Sequence, residues 1–272
     1  MKLIRSANND TIKNIVGLIQ KSSTRKKSDV YVVEGQRELQ LAVKGGFEID
    51  KLFYCPEIFK HPKIEEWCIK NLGINNMVRV TKNVYRKISY RKKTEGIIAL
   101  VKKKKMDLDT IVFKNKNPLL LVVENIEKPG NIGAMLRTAD ASKIDCILVA
   151  EPQTDIYNPN IIRSSVGGFF SVPIGVGTNE EVHAFLNKHH ITPHAASLEA
   201  NVSYETIDFT KPSAIVVGAE TTGLSKFWIN ASKANIKIPM LGTLDSINVS
   251  VAAGVLLFEA TRQRNFYRDL RI

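Results

Sequence analysis

The chain has 272 residues, 44% hydrophobic and 24% charged, proportions of a globular protein that exclude a mainly disordered, collagen-like or coiled-coil chain. That length predicts two compact units of roughly 100 to 150 residues each. The net charge of +12 is uneven: residues 1–105 hold 24 Lys plus Arg against 10 Asp plus Glu, net +14, and residues 106–272 hold 15 against 17, net −2. So local an excess of cations is the footprint of a polyanion-binding module, with nucleic acid the expected partner.

In chain order, Thr11 to Lys21 carries Ile12, Ile15, Val16 and Ile19 at helical spacing, and Val30 to Val33 is a β-branched strand. Gly35 opens a helix through Glu38 to Val43. Ile49 to Tyr54 reads as a strand, Glu65 to Asn71 as a helix, Met77 to Val80 as a strand and Gly96 to Val101 as a last strand. This alternation predicts a small α/β domain over residues 1–105. The run Lys102-Lys103-Lys104-Lys105 is read as a linker or an RNA-facing rim. Arg25-Lys26-Lys27 and Arg91-Lys92-Lys93 fall in predicted loops before strands. Converging at one sheet edge, they would make a phosphate-binding surface without aromatic stacking, suited to RNA shape.

From residue 106 the pattern alternates again. Strands are predicted at Leu119 to Val123, Cys146 to Ala150, Thr192 to Ala196, Ala214 to Val217 and Ala234 to Pro239, and helices at Ile132 to Ser142, Pro159 to Val166 and Glu180 to His189. A parallel, helix-covered sheet follows, with its ligand beyond the carboxyl ends of the strands. Cys55, Cys68 and Cys146 are odd in number and contain no CxxC, so they are read as small core side chains. The five histidines show no ligand spacing, and no metal is expected. No apolar run near the N-terminus reaches the ~20 residues of a membrane helix, and Met1 to Ser6 does not open a signal peptide, so the cytoplasm is the expected location.

Three loops of this second part carry chemistry. In the first, Glu124 to Thr138, Gly130 allows a tight turn and Asn131 is placed to cap the coming helix. Arg137 lies six positions on, ~9 Å along the helix axis, where it can hold phosphate. In the second, Val217 to Ser225, Gly218 and Gly223 flank Glu220, which either meets a cation such as Arg137 or caps the following turn. In the third, Ile236 to Gly254, a strand ends at Pro239 and a helix is predicted to begin near Ser246. Ser246 and Asn248 stand at its mouth, and Ala252, Ala253 and Gly254 permit close backbone approach.

Taken together, Pro-Gly-Asn-Ile-Gly-Ala-Met-Leu-Arg, then Gly-x-Glu-x-x-Gly-x-Ser, then Ile-Pro-Met followed by Ser-x-Asn-Val-Ser, resemble the SPOUT class, specifically TrmH-type (SpoU) RNA ribose 2′-O-methyltransferases, over about residues 117–268. Ile247 stands where many members have Leu. Val32-Val33-Glu34-Gly35-Gln36-Arg37 resembles the substrate-binding domain that many members carry. The resemblance implies a knotted catalytic domain over 106–272, with a deep trefoil formed as the chain after Ala214 threads through a loop. It also implies a homodimer, and S-adenosylmethionine held against Gly218, Ile238, Met240, Ile247 and Asn248. Catalytic surroundings would be Asn131, Arg137, Glu220, Ser246 and Asn248. Arg137 is implied as the base, although a guanidinium is charged at neutral pH; a protonated Arg137 that orients phosphate and stabilises an alkoxide is equally compatible. The basic first domain favours 23S ribosomal RNA. Transfer RNA as substrate, or a non-catalytic RNA-binding assembly factor, are the alternatives.

Overall fold

Residues 2–91 and 95–264 are described by the computed structural model, the side chain of Ile64 excepted. Lys92 and Lys93 of the second basic cluster lie outside these residues. The chain forms two compact units, one of residues 1–104 with 157–171, the other of residues 105–156 with 172–272.

The first unit begins with β1 (Lys2–Ile4), α1 (Asp10–Gln20), α2 (Ser22–Lys26), β2 (Val30–Glu34), α3 (Gln36–Lys44), β3 (Ile49–Tyr54), α4 (Pro62–Leu72), β4 (Met77–Val80), α5 (Lys82–Ile88) and β5 (Ile97–Lys102). The Asn9 side chain accepts from the Thr11 N–H and starts α1, whose Ile12, Ile15 and Leu18 are buried. Five strands form a mixed sheet in the order β1-β4-β3-β5-β2, with β5 antiparallel to both its neighbours.

Two of the expected loops are not free. The segment before β2 contains α2, and Arg25 within it is 3% exposed. Its guanidinium donates to the carbonyls of Leu18 at 2.9 Å and Ile19 at 3.3 Å, satisfying the end of α1. Arg25 therefore presents no charge to solvent, which corrects its assignment as a phosphate contact; Lys26 and Lys27 are exposed. The lysine run is also held by the fold. Lys103 donates to the Arg25 carbonyl, and Lys104 donates to the Gly45 carbonyl at 2.8 Å with its ammonium 4.1 Å from the Phe47 ring centre.

The second unit runs through β6 (Leu119–Glu124), α6 (Pro129–Ala141) and β7 (Cys146–Ala150). There follow α7 (Pro159–Ser164) and α8 (Gly168–Ser171), which belong to the first unit. The second unit then resumes with β8 (Ile174–Gly177), α9 (Asn179–Lys188), β9 (Thr192–Ala196), β10 (Val202–Ser203), β11 (Ser213–Val217), α10 (Lys226–Ala231), β12 (Ala234–Lys237) and α11 (Val249–Gln263). Its seven strands are all parallel, ordered β10-β12-β9-β11-β6-β7-β8. The central strands β6, β7 and β11 are buried at every position, as a sheet covered on both faces requires. Cys55, Cys68 and Cys146 are all buried.

Strand order explains how the three loops meet. β12 lies beyond β9 from β11, yet α11 packs on α6, β11 and β6, so the chain after β12 must cross back over the carboxyl ends of the strands. That return crossing is the path the expected knot needs.

Candidate active site

Each of the three loops leaves the carboxyl end of a parallel strand. The first follows Glu124, turns at Asn125 with φ of 57°, and enters α6 at Pro129. Proline suits this position because its missing N–H would have had no helical partner. The helix thus begins two residues before Asn131, which corrects the expectation that Asn131 caps it: the capping position is Lys128, without a side-chain bond. The Asn131 amide is left free for longer-range contacts.

Those contacts join all three loops. Asn131 Nδ2 donates to Glu220 Oε1 in the second loop, and Asn131 Oδ1 accepts from Asn248 Nδ2 in the third at 3.4 Å. Asn248 is the actual cap of α11, its Oδ1 accepting from the Ser250 N–H at 2.9 Å and the Ser250 hydroxyl at 2.5 Å. The helix therefore starts at Val249, and Ser246 stays in the exposed loop rather than at the cap. From the positive end of α11 a polarised chain of amides runs through Asn248 and Asn131 to the Glu220 carboxylate. The cation beside Glu220 is Lys128, at 3.7 Å, in place of Arg137.

The second loop folds back on itself. Gly223 N–H donates to the Ala219 carbonyl at 2.9 Å, and the two residues form an isolated bridge. A Cβ on Gly218 would stand 2.3 Å from the Gly223 carbonyl oxygen, so only glycine allows this closure.

Behind the loops lies a carboxylate to which sequence reading gave no role. Glu124 is 2% exposed, and its Oε1 accepts from the Ser225 hydroxyl at 2.6 Å and Asn179 Nδ2 at 2.7 Å, while Oε2 accepts from the Ser225 N–H at 2.8 Å. Asn179 Oδ1 in turn accepts from the Trp228 indole N–H at 2.7 Å. A buried charge is tolerated where so many donors meet it. The network fixes the end of the second loop to the start of the first. Its only sequence signal is an acid at the end of an otherwise apolar strand.

Arg137 is exposed and has no hydrogen-bond or ion-pair partner among the described residues, and the same holds for Ser246. Ile238 and Met240 are half-buried and Ile247 is 37% exposed, along a loop that also exposes Leu241 and Leu244. The β12 ladder ends at Lys237, before the expected Pro239. Arg91, assigned to RNA, pairs with Glu38 and lies 3.7 Å from Glu95, so its charge is already matched within the fold. Among the described residues no group of His, Cys, Asp and Glu is arranged to hold a metal ion.

Residues 118–258, all three loops included, match the model of the SpoU rRNA Methylase family. The chain belongs to that family. Residues 9–99 of this SpoU family member match the MRM3-like substrate binding domain. Among curated relatives it is 28% identical over 256 residues to a 23S rRNA (uridine(2479)-2′-O)-methyltransferase of Streptomyces viridochromogenes, covering 91% of this chain and 88% of the relative. It is 37% identical over 175 residues to the 23S rRNA (guanosine-2′-O-)-methyltransferase RlmB of Vibrio parahaemolyticus, covering 62% of this chain and 71% of that one. Of solved structures, the SpoU methyltransferase AviRb of Streptomyces viridochromogenes in complex with AdoMet aligns with a TM-score of 0.84 at 26% identity, covering 94% and 98% of the two chains.

Proposed function

We propose that this SpoU family chain transfers a methyl group from S-adenosylmethionine to a ribose 2′-hydroxyl of 23S ribosomal RNA. The observation that carries the reading is the convergence on Asn131, whose side chain meets Glu220 and Asn248 from two loops 89 and 117 residues away. The curated relatives that support it are named for 2′-O-methylation of 23S rRNA.

The residues fit the cofactor. Ile238, Met240, Leu241, Leu244 and Ile247 offer partly or fully open apolar surface that an adenine would cover, and the closed turn at Gly218 brings backbone amides and carbonyls to the same end of the sheet. When bound, S-adenosylmethionine supplies an electrophilic methyl group on its sulfonium.

The protein's own part is to hold the ribose in line and to manage charge. Positioning of the two reactants is worth several kcal/mol, on the order of 7 or more where the geometry is near-attack. Arg137 stands exposed on α6, six positions beyond Asn131, with its five donors unspent. As a guanidinium it would bind the RNA phosphate and lower the energy of the alkoxide that develops as the 2′-hydroxyl passes its proton to solvent water and its oxygen takes the methyl group, with the methyl–sulfur bond breaking to leave S-adenosylhomocysteine. The amide chain from Asn248 to Asn131 and the Lys128 ammonium hold the Glu220 side chain in place.

α11 exposes Val251 and Phe258, with Val255 and Gly254 half-buried between them, an apolar face that a second copy of this chain would cover to form a homodimer. No helix among the described residues is long and apolar enough to cross a membrane. The relatives named for 23S rRNA methylation support the cytoplasm, where that RNA is, as the place of work.

The deciding experiment maps 2′-O-methyl sites in total RNA from cells with and without this chain. Loss of one site in 23S rRNA is the expected result. Loss of a site in transfer RNA would move the substrate, and an unchanged map in cells whose purified chain still binds S-adenosylmethionine would leave only a binding role.

A further inference from the structure

The geometry points to a stacking site for an unpaired RNA base on the first unit, formed by Tyr90 and Arg163. The two residues are 73 positions apart, and no basic cluster of the sequence includes Arg163. In the structure α7 brings its guanidinium to 5.6 Å from the centre of the Tyr90 ring. Tyr90 remains 43% exposed, the one large aromatic among the exposed hydrophobic side chains of this unit's described residues.

Both partners are held in place from behind. The Tyr90 N–H donates to Glu34 Oε2 at 2.8 Å, and the next N–H, of Arg91, donates to the same oxygen at 3.0 Å. Glu34 is itself 8% exposed, so the ring leaves a backbone pinned by a buried carboxylate. Arg163 Nη2 donates to Asn160 Oδ1 at 3.3 Å within α7, which has its own Asn158 cap. An exposed ring and an exposed planar cation, both anchored, cost little entropy to stack on a third plane. A nucleobase supplies that plane, and base stacking of this kind tolerates any sequence because every base has a flat face. The surrounding unit carries the chain's whole excess of positive charge, which would bring RNA phosphates to it. The ligand class is therefore an unstacked base in a loop or bulge of folded RNA. The site deepens the reading of this chain as an RNA methyltransferase and rests on it.

Dissociation constants for a 23S rRNA transcript would be measured for the parent chain and for Tyr90→Ala, Arg163→Ala, both together, and Tyr90→Phe, alongside S-adenosylmethionine affinity by calorimetry. Each alanine is expected to weaken RNA binding about tenfold. The double variant should lose less than the product of the two, Tyr90→Phe should bind like the parent, and cofactor affinity should not change. On a fully paired RNA duplex, which offers no free base face, parent and variants should bind alike. Unchanged transcript affinity in Tyr90→Ala overturns the stacking site, as does an equal loss on the duplex. A parent chain that binds neither cofactor nor transcript would instead fail the reading beneath it, a result separable from these because it appears before any substitution is made.

Discussion

Ser225 gives both its hydroxyl and its backbone N–H to the two oxygens of Glu124, across 101 residues of sequence, at 2.6 and 2.8 Å. The pair joins the end of β6 to the end of the glycine-rich loop, so the position of Glu220 depends on a carboxylate that never reaches the surface. Removing Glu124 takes the shared acceptor away from the Ser225 and Asn179 donors, whose hydrogen bonds are part-buried, at a cost of about 1 to 3 kcal/mol for each group left unmatched.

Glu124→Ala is accordingly expected to lower stability by roughly 2 to 4 kcal/mol in chemical denaturation. Ser225→Ala removes one donor and keeps the other, and should cost about 1 to 2 kcal/mol. In both variants methyl transfer should fall further than the folded fraction does. Full specific activity in folded Glu124→Ala would mean that the loop closes without this anchor.

Arg137→Ala removes a charge from the face of α6 and touches none of the cofactor loops. Cofactor affinity by calorimetry should stay within about twofold, while single-turnover methyl transfer falls by roughly two to four orders of magnitude. Arg137→Lys should recover little, because a point charge does not reproduce the guanidinium fork. Near-normal turnover in either variant would place the transition-state charge elsewhere.

Two glycines make a matched test of the second and third loops. A methyl group at Gly218 meets the Gly223 carbonyl oxygen at 2.3 Å and the Leu224 nitrogen at 2.5 Å, whereas at Gly242 nothing lies within 4 Å. Gly218→Ala should open the turn and abolish measurable cofactor binding. Gly242→Ala should leave binding and thermal stability near those of the parent.

Arg25 and its neighbours separate structure from RNA binding. Arg25→Ala uncaps the carbonyls of Leu18 and Ile19 and should cost about 1 to 3 kcal/mol of stability. Lys26→Ala with Lys27→Ala should leave stability unchanged and lower the slope of log K against log salt by about 0.7 to 0.9 for each phosphate no longer neutralised. An unaltered slope would show these lysines to be solvated surface only.

His194 in β9 is 5% exposed, its Nδ1 has no partner, and burial, with Lys233 nearby, pushes its pKa from 6.5 down to about 4. The fold favours the neutral ring, so the unfolded chain binds this proton more readily. Stability from this source is complete above pH 6.5 and drains as the pH falls toward 4, by on the order of 3 kcal/mol. Denaturation of the parent and His194→Gln at pH 7, 5.5 and 4 should show the parent losing more; parallel curves would contradict the assignment.

Much of this molecule is written in local pattern. The apolar runs at Leu119 to Val123 and Cys146 to Ala150 are buried on both faces and could be read as parallel strands without any knowledge of their neighbours. The three polar loops, each directly after a parallel strand, lie at the carboxyl end of the sheet, and the excess of positive charge falls in the part that matches the MRM3-like substrate binding domain. Side-chain partners over long separations were not legible. Asn131 and Asn248 looked like interchangeable helix caps, but the helix of one begins earlier and that of the other later, which frees the first amide to bridge what the second one caps. The basic cluster at Arg25 read as a surface because charge counts carry no direction, and one turn of α2 points its guanidinium inward to the carbonyls at the end of α1. Periodicity assigns a residue to a helix or strand; whether its polar atoms face solvent, a ligand or a distant loop is decided by which buried donors and acceptors remain unmatched once the sheets have closed.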